Sequence, residues 1–178
     1  MKLKPQRRIA IPDFKKICRA IATYEDLDVL FRHLVEVISL AFDIKGCSLL
    51  LFDEREKQLF RVSSYGISEE YLKERVLRLG EGVVGLVAQE KKPMRVDNVL
   101  EDQRFKEKQL ARKESLCSLL SAPMVVRGKV IGVINCYTSY PHHFTDTEEA
   151  VLTTVAAFLP LLGVAGAIGK TMRGGPLI

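Results

Sequence analysis

Twice along this chain a strand-length apolar run is followed, after a short polar break, by a second one. Cys47-Ser48-Leu49-Leu50-Leu51-Phe52 leads through Asp53-Glu54-Arg55-Glu56-Lys57 to a segment over 58–65 that carries Leu59, Phe60, Val62 and Tyr65. The apolar stretch 116–126 leads through Arg127-Gly128 to Val130, Ile131, Val133 and Ile134, with Gly132 among them. Breaks this short close hairpins, because parallel strands need a crossover of roughly a dozen residues. The chain is thereby committed to a largely antiparallel sheet. This decides how Gly80-Glu81-Gly82-Val83-Val84-Gly85 is read. Its letters are GxGxxG, but the dinucleotide version needs a parallel βαβ unit, and Asp97 stands too near to serve as its ribose carboxylate. The glycines read instead as a tight turn into a short helix pressed against neighbouring backbone, with an anion at the helix start as the alternative.

Helical spacing brackets the hairpins. Over 13–41, Asp13 offers a cap and Phe14, Ile17, Cys18 and Ile21 share a face. Thr23 offers a second cap, and Leu27, Leu30, Phe31, Leu34, Val35, Ile38 and Phe42 continue the stripe. The pattern predicts one long helix, or two bent near Ala22–Glu25. Near the other end, Thr145 and Glu148 have capping-box spacing, Leu152, Val155, Ala156 and Leu159 turn inward, and Pro160 ends or kinks the helix. Between these, Ser68 starts a short helix through Arg75, Val76–Leu79 is a short strand, and Pro93–Val96 is an edge segment. Residues 98–114 read as polar and irregular, anchored by Phe105 and Leu110. Pro123 suits an edge or the start of a strand.

The expected order is α–β–β–α–β–α–β–loop–β–β–α, an α/β (α+β) domain with an antiparallel sheet of five to six strands. The end helices should cover one face and the 97–117 connection should roof a pocket on the other. The expected boundaries are a basic tail over 1–12, one domain over 13–169 and a C-terminal tail over 170–178. In the first 19 residues, seven basic residues face Asp13 alone, a net +6 that leaves −1 on the remaining 159 out of +5 in all. No aromatic or groove-reading element accompanies this charge, so it reads as a solubilising leader and nucleic-acid contact is not expected.

Four cysteines, at 47, 18, 117 and 136, make neither a CxxC nor a zinc spacing, and no secretory leader precedes them. A reducing, cytoplasmic setting fits. The uncharged stretch 150–169 contains Pro160 and four small residues near its end, and it reads as a docked helix rather than a membrane span. P-loop, HExxH and GxSxG patterns are absent from the sequence, and His33, His142 and His143 lack a third metal ligand. No cofactor, metal or catalytic constellation is expected. Under the roof, Arg112, Lys113, Ser115 and Ser118 are candidate lining residues for a polar or anionic ligand, with Phe105 as an anchor. Asp97 is either a ligand contact or a loop cap.

The ordered landmarks Leu79–Gly85, Pro93, Val96-Asp97-Asn98-Val99, Asp102-Gln103-Arg104-Phe105, Ser121-Ala122-Pro123-Met124, Gly128–Ile134 and Phe144-Thr145 together resemble the GAF family over roughly residues 23–160. The resemblance implies a profilin-like sensory domain of signalling and transcription regulators, binding a small ligand or an effector partner. It also implies a homodimer formed through the N- and C-terminal helices. In the cyclic-nucleotide subset an Asn-Lys pair precedes Phe and then Asp-Glu. Here Asn135-Cys136 precedes Phe144 and Glu148-Glu149, which keeps Asn135 as a candidate contact. Cys136 in place of Lys removes that subset's Lys–Asp pair. Bilin attachment would need a His after Cys117, and none follows it. Two alternatives stay open. One is a thiol enzyme resembling free methionine sulfoxide reductase, which would bring Cys117 and Cys136 together beside a pocket. The other is a ligand-free dimerisation scaffold, with its pocket filled by apolar side chains.

Overall fold

The computed structural model describes residues 15–16, 27–68 and 76–162. The tails, the helical pattern across Ala22–Glu25, most of the Ser68–Arg75 helix and the end of the uncharged stretch lie outside these residues. In chain order the elements are α1 (Leu27–Ala41), β1 (Gly46–Asp53), β2 (Gln58–Tyr65), β3 (Leu77–Arg78), α2 (Gly82–Glu90), β4 (Met94–Val96), α3 (Lys108–Lys113), β5 (Leu119–Val126), β6 (Lys129–Tyr137) and α4 (Asp146–Phe158). A 3₁₀ turn over Leu159–Leu162 follows α4, because Pro160 has no amide with which to continue it.

The six strands form one sheet in the order β3-β2-β1-β6-β5-β4, and every adjacent pair is antiparallel. Local chemistry closes both hairpins. Asp53 Oδ1 accepts hydrogen bonds from the amides of Arg55 (2.8 Å) and Glu56 (3.2 Å), and Lys57 takes φ 57° to return the chain. Arg127 and Gly128 both have positive φ, 48° and 77°, as the two-residue turn that matches strand twist requires. Pro123 lies past Met94↔Ser121, the last pairing of β4 with β5, so its missing amide interrupts no β4 ladder.

Alternation along the strands builds two cores. Leu49, Leu51, Leu120, Ala122, Met124, Ile134 and Cys136 face α1 and α4, where Phe31, Leu34, Val35, Ile38, Leu152 and Val155 meet them. Leu50, Phe52, Leu59, Leu119, Val133 and Tyr137 face the other way, toward α2 and the 97–117 connection. The β1–β2 register passes from Leu49↔Ser63 to Leu50↔Arg61, so Val62 is the extra residue of a bulge, and Arg61 shares the second face with Leu50.

The 97–117 connection is less irregular than its composition predicts, because α3 forms within it. Nothing in its first turn signals a helix: Glu107 at the N-cap makes no side-chain cap bond. Packing holds the helix, through buried Ala111 and Leu116. It stops in a Schellman motif, with Ser115 N–H donating to Arg112 O (3.1 Å) and Leu116 N–H to Ala111 O (2.8 Å) while Ser115 adopts φ 54°. No helix among the described residues is long and apolar enough to cross a membrane.

Candidate functional site

A polar row crosses the second face of the sheet. Ser48, Asn135 and Ser121 lie opposite one another on β1, β6 and β5, and all three are fully buried. Ser121 Oγ donates to Asn135 Oδ1 (2.7 Å), and Asn135 Nδ2 donates to Ser48 Oγ (3.3 Å). An amide offers two N–H donors, so one remains after these bonds.

Beside this row lies a cavity with ≈ 20 Å³ for the centres of water-sized molecules, room for about one such group. Its floor is Asn135, Leu50 and Tyr137, with Arg61 alongside. One wall is Leu77 and the first turn of α2 from Glu81 to Val84. The cover is Phe105-Lys106-Glu107, with Phe105 buried. Glycine places the wall: Gly80 and Gly82 have φ 77° and 65°, and a Cβ on Gly85 would overlap the carbonyl oxygen of Arg78. The first-turn amides of α2 have no cap from Glu81, whose carboxylate accepts instead from Arg78 N–H (3.1 Å).

A second buried cluster joins the cover to α4. The capping box is present: Thr145 Oγ1 accepts from Glu148 N–H (3.2 Å), and Glu148 Oε2 accepts from Thr145 N–H (2.7 Å) and Oγ1–H (2.8 Å). The other carboxylate oxygen lies 2.9 Å from His142 Nε2, and both side chains are buried. Burial acts to raise the Glu148 carboxyl, but the hydrogen bonds from His142 and Thr145 outweigh it and hold the group below the ordinary carboxylate range. Ser118 Oγ accepts from His142 N–H (2.9 Å) and donates to Asp97 O (2.5 Å), while Asp97 Oδ2 lies 3.0 Å from His143 Nδ1. Arg95 on β4 also reaches Asp146 (2.7 Å) and Glu149 (2.6 Å). Both ends of the covering segment, Asp97 and Ser118, are therefore fastened to the loop that caps α4.

The candidate residues fall into three places. Phe105 and Asn135 line the cavity. Asp97 and Ser118 belong to the fastening. Arg112, Lys113 and Ser115 are exposed and do not line the cavity, because α3 turns Ala111 inward and leaves its basic last turn outside. Arg61, Glu81, Lys106 and Glu107 were missed. The signal for Arg61 was its parity with Leu59 on a half-buried strand. Among the cysteines, Cys136 stands opposite Cys47 on the helix-facing side, where burial first and Cys47 second push its thiol well up. Cys117 lies three residues before Leu120, the β5 partner of Cys136, and none of the three cysteines lines the cavity.

Residues 26–160 match the model of the GAF domain family. The phosphoenolpyruvate-dependent phosphotransferase system protein of Escherichia coli strain K12 is 25% identical over 142 residues, covering 80% of this chain and 19% of that protein. The Nif-specific regulatory protein of Herbaspirillum seropedicae is 26% identical over 164 residues, covering 89% of this chain and 28% of its own length. The chain thus spans only 19% and 28% of the length of these two curated relatives. Among solved structures, the GAF domain of a phosphoenolpyruvate-protein phosphotransferase from Coxiella burnetii superposes with a TM-score of 0.82 at 22% identity, covering 91% of this chain and 96% of that one.

Proposed function

This chain belongs to the GAF domain family, matched over residues 26–160, and from that premise we propose that it is a regulatory sensory module that binds a small molecule and passes the event to a partner. The cavity between the Ser48–Asn135–Ser121 row and the Phe105–Glu107 cover carries this reading. A buried polar row bordering a small, partly open recess is what a binding site needs. Asn135 and Phe105 are the contacts. A ligand larger than one water-sized group has to displace the cover. The cover ends at Asp97 and Ser118, so its movement strains the hydrogen bonds that hold the α4 cap.

The output surface is the opposite side of the domain. Val29 and Leu40 on α1 and Phe158 on α4 are exposed apolar residues there, and they suit a second copy or an effector domain. In the two curated relatives the matched region is a minor part of a longer chain. This fits a domain whose consequence is read by another unit, in a cytoplasmic regulator of signalling or transcription. Signalling of this kind requires two states that differ in ligand affinity.

The experiment is a thermal-shift and titration-calorimetry screen of the full chain against small organic acids, amino acids and nucleotides. A ligand that raises the melting temperature and also changes the sedimentation coefficient is the expected result. Absence of heat and shift across the whole panel refutes ligand sensing and leaves a scaffold.

A further inference from the structure

Cys47 and Cys136 belong neither to the cavity nor to its cover, and the sheet brings them together. They are direct partners in the antiparallel β1–β6 ladder and stand in the helix-side core. Facing residues of such a ladder have Cα atoms about 4.5 or 5.5 Å apart, and a disulfide accepts roughly 4.4–6.8 Å. Either kind of facing pair is therefore within reach of an S–S bond with no change of register. Both thiols are free, and a hydrogen bond already joins them. Cys117 is placed otherwise: it precedes β5, and its backbone bonds Val99 and Thr138.

Burial holds the pair at rest. Both residues are fully buried, and a thiol kept from water rarely yields the thiolate that attacks an oxidant. The charge of Glu148, in the first turn of α4, reaches Cys136 and opposes a second negative charge there. That end of α4 closes the same core with Phe144 and Leu152. It is held by the Thr145–Glu148 box and by the His142 contact. Opening it admits water and a small oxidant together.

We propose that Cys47 and Cys136 are a reversible disulfide site, oxidised by hydrogen peroxide when the capped end of α4 opens. One thiol gives up its proton, and the thiolate attacks the peroxide. An S–O bond forms, the O–O bond breaks, and the released hydroxide takes the proton as water. The second sulfur then attacks the sulfenic sulfur. An S–S bond forms, the S–O bond breaks, and the departing hydroxide leaves with the second thiol proton as another water. The two thiols lose two electrons and the peroxide gains them. A dithiol reductant reverses the step by exchange. The bond ties β1 to β6 beneath α1 and α4, and it needs no ligand in the cavity.

The test treats the reduced full chain with hydrogen peroxide, quenches it with an alkylating agent, and maps tryptic peptides by mass without reductant. The expected product joins the peptides of Cys47 and Cys136, about 2 Da lighter than their sum, and dithiothreitol removes it. Cys18→Ser/Cys117→Ser forms it at the same rate. Glu148→Gln, which loosens the cap, forms it about tenfold faster or more, as expected where local opening limits the reaction. Leu34→Ala, which empties the core at α1 and leaves the cap in place, speeds it less than Glu148→Gln does. Disulfides through Cys18 or Cys117 in place of this pair overturn the proposal, as does a pair that stays fully alkylatable after reduction and unfolding. An unchanged rate in Glu148→Gln, or a faster one in Leu34→Ala, overturns the opening at α4.

Discussion

The two faces of this sheet share the same strands and follow different rules. On the helix side every inward position from β1, β5 and β6 is apolar, down to Cys47 opposite Cys136, and α1 and α4 close over it. Packing there is tight enough that a Cβ on Gly132 would strike the Leu50 carbonyl and the Met124 side chain. On the other face, Ser48, Asn135 and Ser121 interrupt the apolar rows at their centre. The cover is a connection with one short helix rather than a long amphipathic one. The contrast separates stability from recognition. One side is filled by dispersion and hydrophobic contact, and the other keeps a hydrogen-bonded polar patch beside a small space.

Four variants test that division, taken from the largest expected effect downward. Leu34→Ala empties part of the helix-side core and should cost about 3 kcal/mol in urea unfolding, with ligand affinity unchanged in the folded protein. An equal loss of affinity would mean that the two faces are not independent. Glu148→Gln weakens the cap and the His142 contact together and should cost about 2 kcal/mol near neutral pH. The sign with pH follows from the lowered carboxyl of Glu148. Its contribution is complete above the ordinary carboxylate range and disappears as pH falls through its depressed folded value. Acidification should therefore lower the urea midpoint of the unaltered protein more than that of the variant, and parallel pH curves would contradict the assignment.

Asn135→Leu is milder for stability, at about 1 kcal/mol, because Leu fills similar volume while Ser121 loses its acceptor. Its effect on binding should exceed its effect on unfolding, the reverse of Leu34→Ala. The smallest change is expected from Arg112→Ala with Lys113→Ala: within about 0.5 kcal/mol by urea unfolding, as for exposed sites generally, and no change by calorimetry. Loss of binding in that pair would move the site outward onto α3.

What could be read from the sequence was local. The two hairpins, the Thr145–Glu148 box and the Pro160 stop each depend on residues within a few positions of one another, so composition and spacing reveal them. The cavity does not work that way. It joins Arg61 on β2, Glu81 at the start of α2, Phe105 on the cover and Asn135 on β6, which become neighbours only once the sheet has formed. Arg112, Lys113 and Ser115 looked like lining because the 97–117 connection read as a loose flap. A left-handed Ser115, where helix stops usually place Gly, hides the end of α3 from any rule based on glycine. His142 likewise gives no sign in sequence that it meets Glu148 and, through its backbone, Ser118.

The rims of the sheet carry a consequence of their own. It ends in a two-residue strand on one side and a three-residue strand on the other, and β5 bears Pro123 where it runs past β4. A neighbouring molecule seeking to extend the ladder finds little template at β3 or β4, and at Pro123 it finds no amide to hold. Crowding this protein should therefore not zip it into fibrils along the β4 border.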